Sequence, residues 1–343
     1  MKKISEHRLF WRAIVPVVIG IGVTAWLLWD DISAGDYSRL QWSGRMTVGV
    51  ILALLFAFGR DFGLAWRFRT IARPLLDWKH AFRVDLMCAF TSAITPSAVG
   101  GSAFAIFYLN REGLDVGHAT TMTLTTLFLD EMFFVVFCPI IMLLVPAETL
   151  FGNAEGVTDS FGYGVQVVFW LVYAGIVIWA AILFMGIIAK PRPVSLMLKK
   201  LAMLRILRRW RRNIFSTADN MVSASHQLRH REASWWLNVF GATTVSWFSR
   251  YLVVNALFWG FVPEASALLV FGRQFVVWVL LMVSPTPGGS GVSEWLFTNY
   301  YGDIIPSAGI VLLIAIAWRI ITYYTYLTAG SILLPSYFKT KQK

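Results

Sequence analysis

The sequence predicts an all-α polytopic membrane protein, with about six full transmembrane helices and two broken, re-entrant hairpins in an inverted repeat. Three observations predict this fold class. Of the 343 residues, 57% are hydrophobic and only 14% are charged, whereas a soluble domain carries roughly 25% charged residues. Several apolar runs reach the roughly 20 residues that a transmembrane helix needs. Two other apolar runs contain clusters of Pro and Gly, which interrupt helices.

Uninterrupted apolar runs predict the full transmembrane helices. The first follows a basic N-terminus and therefore resembles a signal peptide. It is followed by no small-residue cleavage site, so we expect it to remain as a helix. The six predicted spans are Ala13–Trp29, Met46–Trp66, His118–Val145, Val165–Ala189, Ser234–Phe261 and Ile304–Leu334.

The two interrupted runs are Ala81–Leu109 and Ala265–Tyr301. The first contains Thr95–Ala103, TPSAVGGSA, and the second contains Ser284–Glu294, SPTPGGSGVSE. Irregular backbone at membrane depth must be shielded by protein or line a cavity. Paired interruptions at matching places in two halves of a chain are typical of a transporter binding site.

The charges of the loops predict the topology. Nearly all basic loop residues lie at the N-terminus, in Arg67–His80, in Lys190–Arg231 and at the C-terminus, and the positive-inside rule places these segments in the cytoplasm. If the interrupted runs crossed the membrane completely, the basic 190–231 loop would change sides. As hairpins, they give units 46–145 and 234–334 opposite orientations, which is an inverted repeat. The sequence thus predicts one membrane domain, 1–343, in the inner membrane of a bacterial or archaeal cell.

Ionisable residues inside the predicted spans need partners or a wet cavity. Glu131 and Arg319 occupy equivalent places in the two repeats, as do Asp85 and Arg273, so Glu131–Arg319 and Asp85–Arg273 ion pairs are expected. Arg250 is a further basic residue within a span. These residues form either structural salt bridges or a substrate site, and the sequence leaves both interpretations open.

The glycine-rich stretches predict anion sites. Helices that start near Ser102 and Ser290 would direct free N–H groups and a positive dipole end at a ligand such as phosphate. Glu294 lies one turn after Gly291. It either caps its own helix or serves as a proton or headgroup site.

Other features of the sequence exclude several functions. The net charge of +11 fits basic cytoplasmic loops, and nucleic-acid binding is not expected. Cys88 and Cys138 lie in apolar runs, and His226 and His230 have no third ligand nearby, so no metal site is expected. No NTPase, zinc-hydrolase or esterase motif is present, and no cofactor or catalytic residue is predicted. The basic segment Lys199–Phe215 has helical apolar spacing and is predicted to lie on the inner leaflet.

The motif Pro285–Glu294, PTPGG-x-G-x-x-E, and the earlier Gly-Gly motif with Tyr108-x-x-Arg111 resemble the flippase-like, lysylphosphatidylglycerol synthase transmembrane-region family. The resemblance covers nearly the whole chain. It implies movement of a phospholipid or a polyprenyl-linked lipid between leaflets. The soluble aminoacyltransferase domain of bifunctional members is absent before Lys343, so lipid lysinylation by this chain is not expected.

The predicted function is therefore lipid translocation. A small-anion carrier and a membrane subunit of a lipid-modifying or glycosyl-transferring enzyme are the alternatives. Anionic or polyprenyl-linked membrane lipids are the expected partners, and a homodimer and a complex with a lipid-modifying enzyme both remain open. The candidate substrate-binding residues are Pro96, Gly100, Gly101, Ser102, Glu131, Arg250, Arg273, Pro287, Gly288, Gly289, Ser290, Gly291, Glu294 and Arg319.

Overall fold

A computed structural model describes residues 42–95, 99–152, 159–204, 211–228, 231–284, 286, 288–305 and 307–338. This part of the chain contains helices and no strand, which confirms the predicted all-α class. The helices are α1 Gly44–Ala72, α2 Trp78–Ile94, α3 Val99–Arg111, α4 Val116–Leu144, α5 Ala147–Phe151, α6 Asp159–Phe184, α7 Pro191–Leu201, α8 Arg211–Leu228, α9 Ala233–Phe261, α10 Ala267–Leu281, α11 Val292–Tyr301, α12 Ala308–Arg319 and α13 Thr325–Phe338. One-turn π-helical segments, Met185–Ala189 and Ile320–Tyr324, follow α6 and α12.

Among the described residues, four helical stretches are long and apolar enough to cross a membrane. They are Gly44–Ala72, Val116–Leu144, Gly162–Ala189 and Gly309–Pro335, and each corresponds to a span predicted from the sequence. Helix α9 has the same 29-residue length as α1 but is not one of these four stretches. The first predicted span, Ala13–Trp29, lies outside the described residues.

Helices α1 and α9 form a closely packed antiparallel pair. A β-carbon at Gly49 would lie 2.8 Å from the carbonyl oxygen of Ala256, and one at Gly63 would lie 2.8 Å from that of Ala242. The start of α1 therefore lies beside the end of α9. Small residues allow such close backbone approach, which is the usual basis of helix association in membranes.

This packing predicts that Gly63→Ala destabilises the protein by about 1–3 kcal/mol, because the added methyl group overpacks the contact between the helices. Gly241→Ala on α9 is the matched control, since a β-carbon there would meet nothing within 4 Å. Thermal unfolding in detergent measures both variants. Equal midpoints for the two variants would contradict the close packing.

The first interrupted run is a hairpin of α2 and α3 that returns to the end where it began. Near its base, Glu112 follows the end of α3 and lies 3.6 Å from His80 and 3.7 Å from Arg83 of α2. Asp77 caps α2 by accepting the backbone N–H of His80 at 2.8 Å. The break that separates the helices occurs after Ile94, where the sequence predicts it.

The second interrupted run, α10 and α11, also returns to its starting end. Arg273 of α10 donates to the carbonyl of Tyr300 at 2.5 Å and forms an ion pair with Asp303, which follows α11. Gln274 donates to the Tyr301 hydroxyl at 2.7 Å. These contacts lie at the base of the hairpin, and the break between its helices contains Ser284 and Gly288–Gly291.

The two hairpins begin at opposite ends of the α1–α9 pair, because each follows the C-terminal end of one of these antiparallel helices. Their tips nevertheless meet. The N–H of Gly288 donates to the carbonyl of Thr95 at 3.2 Å, and the Tyr323 hydroxyl donates to the carbonyl of Ala93 at 3.2 Å. Hairpins that enter from opposite ends and touch at their tips have the relation that an inverted repeat requires.

The structure corrects three predicted boundaries. Helix α1 continues to Ala72, so Arg67 lies inside a helix and is buried rather than in a loop. The amphipathic segment Lys199–Phe215 is not one helix, because α7 ends at Leu201 and a turn follows at residues 202–204. Helices α3 and α11 begin at Val99 and Val292 rather than at Ser102 and Ser290.

Candidate functional site

Six charged residues of four helices form what we call the buried charge cluster, in which Arg67 and Asp85 are buried and the other four residues are half-buried. Some of its members form direct ion pairs, and the others interact electrostatically over longer distances. Charges inside a membrane domain are costly unless they are paired or hydrated, so their concentration in one place indicates a site. The cluster consists of Arg60, Asp61 and Arg67 of α1, Asp85 of α2, Asp130 of α4 and Arg250 of α9.

The best-satisfied pair of the cluster is Arg67–Asp130. The guanidinium donates from Nη1 and Nη2 to the two carboxylate oxygens at 2.6 and 3.2 Å. The indole N–H of Trp247 donates to the same carboxylate at 2.8 Å, and Thr243 accepts from Arg67 at 3.3 Å. A bidentate pair with these extra hydrogen bonds is rigid, and it fastens α1, α4 and α9 together.

A second pair joins α1 to α13. Arg60 and Asp61 are 2.7 Å apart, and the Tyr326 hydroxyl donates to Asp61 at 2.9 Å. The guanidinium of Arg60 lies 4.3 Å from the centroid of the Tyr326 ring. The last membrane helix is thus connected to the cluster.

Arg250 is bound differently from the other arginines. Its guanidinium lies against the rings of both Trp247 and Trp278, 4.4 and 4.5 Å from their centroids. Within the described ranges, no carboxylate lies at ion-pair distance from it. The indole N–H of Trp278 is buried and also has no acceptor there. Two neighbouring donors without an anion are suited to binding one.

One carboxylate of the cluster, Asp85, and one beside it, Glu131, also have unsatisfied oxygens. Asp85 is 2% exposed, and its Oδ2 is buried without a hydrogen-bond partner among the described residues. The Oε2 of Glu131, which follows Asp130 in the chain, is likewise buried without a hydrogen-bond partner among the described residues. Buried polar atoms are nearly always hydrogen-bonded, so these two atoms indicate groups whose partners are a proton or a ligand.

The tip of the second hairpin contains a separate ion pair. Glu294, 1% exposed, accepts from Arg319 Nε at 2.7 Å through one oxygen. Its other oxygen accepts from the Gly291 N–H and the Ser293 hydroxyl, both at 2.7 Å. Glu294 therefore caps its own helix, which is one of the two roles that the sequence left open, and it is held there by Arg319.

The glycines of this tip allow its turn and its contact with the first hairpin. Gly288, Gly289 and Gly291 have φ of 55°, 70° and 80°, which favours glycine. Their N–H groups donate within the protein, to Thr95, Thr286 and Glu294 respectively. A phosphate at this tip would have to replace these hydrogen bonds.

The structure corrects both ion pairs that were expected from the repeat. Arg319 pairs with Glu294 instead of Glu131, and Arg273 pairs with Asp303 instead of Asp85. In each case the partner comes from the same repeat as the arginine. The hairpin returns the chain to its own starting helix, so the local carboxylate is closer than the one in the other repeat.

The candidate residues fall into separate places. Gly288, Ser290, Gly291, Glu294 and Arg319 lie together at the second tip, where Gly288 contacts Thr95 of the first. Gly100, Gly101 and Ser102 lie in the first turn of α3, whose N–H groups have no intrahelical acceptor. Arg250 and Glu131 lie at or beside the charge cluster, and Arg273 closes a hairpin base. Pro96 and Pro287 lie outside the described residues.

Sequence reasoning missed the central role of α1. Arg67 appeared to belong to a basic loop, and neither Arg60 nor Asp61 was among the candidate residues. The signal that could have revealed them is Asp130, an acidic residue in a long apolar span that requires a nearby cation. Within the described ranges, no group of three or more His, Cys, Asp or Glu side chains could hold a metal ion.

The fold and the site define a polytopic α-helical membrane protein with two hairpins that meet at their tips beside a buried charge cluster. The chain belongs to the lysylphosphatidylglycerol synthase transmembrane-region family, whose model matches residues 14–330. It is also similar to a UPF0104 membrane protein of Archaeoglobus fulgidus, with 24% identity over 336 residues, 93% of this chain and 95% of that protein.

Proposed function

We propose that this protein moves a phosphate-bearing lipid between the leaflets of a membrane, and that Arg250 binds the phosphate. The observation that carries the proposal is the Arg250 guanidinium, which has no ion-pair partner among the described residues, beside the Trp278 indole N–H, which is buried without an acceptor there. An uncompensated cation in such a place is costly. A phosphate that enters between the helices relieves this cost, and membership in a family named for a lipid synthase favours a lipid as its source.

The two hairpins are the segments that we propose to move during transport. Among the described residues, the N–H of Gly288 joins the tips by donating to Thr95, and Tyr323, which follows α12, donates to Ala93 of the first hairpin. In alternating access, the site opens to one side and then the other as one repeat moves against its counterpart. Separation of these tips on either side would let the headgroup pass while the acyl chains stay in the bilayer.

The basic segment 190–231 is suited to attracting anionic lipid to the protein. Helix α7 exposes the apolar side chains of Leu196, Met197 and Leu201, and Lys199 and Lys200 lie in its last turn. Such a helix lies in the headgroup region and attracts anionic lipid. With the loop charges, this favours a cytoplasmic position for 190–231 and both termini, in a bacterial or archaeal inner membrane. We propose a transporter rather than an enzyme.

Lipid exchange in reconstituted vesicles tests the proposal. Fluorescent phosphatidylglycerol, an aminoacylated phospholipid and a polyprenyl phosphate are placed in one leaflet, and the rate at which each reaches the other leaflet is measured. We expect at least one to cross faster with the protein. Arg250→Gln should slow that lipid about 10-fold or more, because a charge-assisted hydrogen bond contributes roughly 1.5–3 kcal/mol.

Arg73→Gln is the matched control, since Arg73 is an exposed arginine at the end of α1, outside the basic segment 190–231. It should leave the exchange rate unchanged. Uptake of inorganic phosphate into the same vesicles separates the two sources of the anion. Phosphate uptake without lipid exchange would replace the proposal by a small-anion carrier, and lipid rates equal to those of protein-free vesicles would overturn it.

A further inference from the structure

Asp85 is the most isolated charge of the buried cluster. It lies in the middle of α2, it is 2% exposed, and its Oδ2 has no partner among the described residues. The other two aspartates of the cluster are in direct ion pairs, Asp61 with Arg60 and Asp130 with Arg67. A buried carboxylate without a direct cation costs far more than a neutral carboxylic acid does.

Helices α1, α9 and α13 each contribute a group that acts on Asp85. The repulsion from Asp61 opposes the attraction of three arginines, none of which is in direct contact with it. The uncharged ionisable neighbours are Cys88 on α2, Tyr326 on α13 and, through Cys88, Tyr108 on α3. The charged groups are Arg60, Asp61 and Arg67 of α1 and Arg250 of α9.

The charge balance of the cluster requires compensation when an anion binds. Three arginines face three aspartates, so the cluster is neutral if all six are ionised. A phosphate beside Arg250 adds a negative charge to a buried place, which is unfavourable unless a positive charge enters with it. A proton is the smallest such charge, and the unsatisfied oxygen of Asp85 is an acceptor in the same cluster.

We propose that Asp85 is a proton-binding site, whose carboxylate takes one proton from water to become a neutral acid when the cluster holds an anion. The proton site stands on the geometry of Asp85 alone, whereas its coupling to lipid movement rests on the proposed function. Helix α2 provides the coupling. It carries Asp85 and, about two turns later, Ala93, and it ends at its C-cap Thr95. The carbonyl of Thr95 accepts from Gly288 of the second hairpin, and that of Ala93 accepts from Tyr323, which follows α12.

Infrared difference spectroscopy of the full-length protein in lipid nanodiscs tests this site without any transport. Spectra are recorded from mildly acidic to alkaline pH, with and without short-chain phosphatidylglycerol. We expect a protonated-carboxyl band that disappears at high pH, moves on incorporation of isotope-labelled aspartate, and is lost in Asp85→Asn. Added lipid should increase this band, because the anion favours the proton.

Asp77→Asn is the matched control on the same helix. Asp77 is exposed at the cap, where the backbone N–H of His80 lowers its pKa, and Asn retains the capping function. Its spectra should match those of the wild type. If Asp85→Asn does not fold, the isotope shift of the band in the labelled wild type still shows whether an aspartate is protonated. The proposal is overturned if no aspartate band titrates above the acidic range, or if the band survives in Asp85→Asn. The proton site would stand even if every lipid-exchange rate equalled that of protein-free vesicles.

Discussion

Arg319→Ala should be among the most damaging single substitutions, with an expected loss of about 3–5 kcal/mol in unfolding free energy. Removal of the guanidinium leaves the carboxylate of Glu294, 1% exposed, without its cation. The Gly288 carbonyl also loses the guanidinium that lies 3.4 Å away. Unfolding in detergent, followed by temperature or by denaturant, measures the loss.

Two further variants show whether the buried charge causes this loss. Adding Glu294→Gln to Arg319→Ala removes the orphaned charge, so the double variant should regain about 1–2 kcal/mol. Arg212→Ala on the exposed side of α8 should change stability by less than about 0.5 kcal/mol. A double variant less stable than Arg319→Ala would show that hydrogen bonding, rather than the unpaired charge, dominates.

Gly288→Ala should separate the two hairpin tips and abolish the transport that we propose. A β-carbon there would lie 2.3 Å from the Tyr323 ring and 2.9 Å from the Ala93 carbonyl oxygen. The residue also has a φ of 55°, a conformation that costs about 1–2 kcal/mol for a residue with a side chain. Lipid exchange and thermal unfolding are measured on the same preparation, and both should fall.

Gly113→Ala separates the effect of backbone strain from that of the collision. Gly113 has a φ of 103°, and a β-carbon there would meet nothing within 4 Å. This variant should therefore lose stability but keep the rate of lipid exchange in the fraction that remains folded. If both variants exchange lipid at the wild-type rate per folded molecule, contact between the tips has no part in transport.

The architecture could be predicted because it depends on strong and local signals. Pro and Gly within an apolar run break a helix wherever the rest of the chain lies, so the interruptions near Thr95 and Gly288 were visible in the sequence. The loop charges then required each interrupted run to return to its own side. The contacts of Glu112 with α2 and of Asp303 with Arg273 show these returns directly.

The ion pairs could not be predicted in the same way. Pairing Glu131 with Arg319 assumed that equivalent positions of the repeats meet, but the hairpin brings Glu294 to Arg319 first. The partners of Asp130 depend on how α1 and α4 are rotated about their axes, which neither length nor hydropathy determines. Arg67 was assigned to a loop because a basic residue at the end of an apolar run resembles a flanking residue.

The closed bases of the hairpins determine where the molecule can bend. Arg273 is fully buried and fastens one base through Asp303 and the carbonyls of Tyr300 and Thr149. At the other base, Glu112 is held by Tyr337 at 2.6 Å and by its contacts with α2. Each hairpin is thus anchored at its base. A small tilt about either base gives the largest displacement at the tips, where the N–H of Gly288 donates to the carbonyl of Thr95.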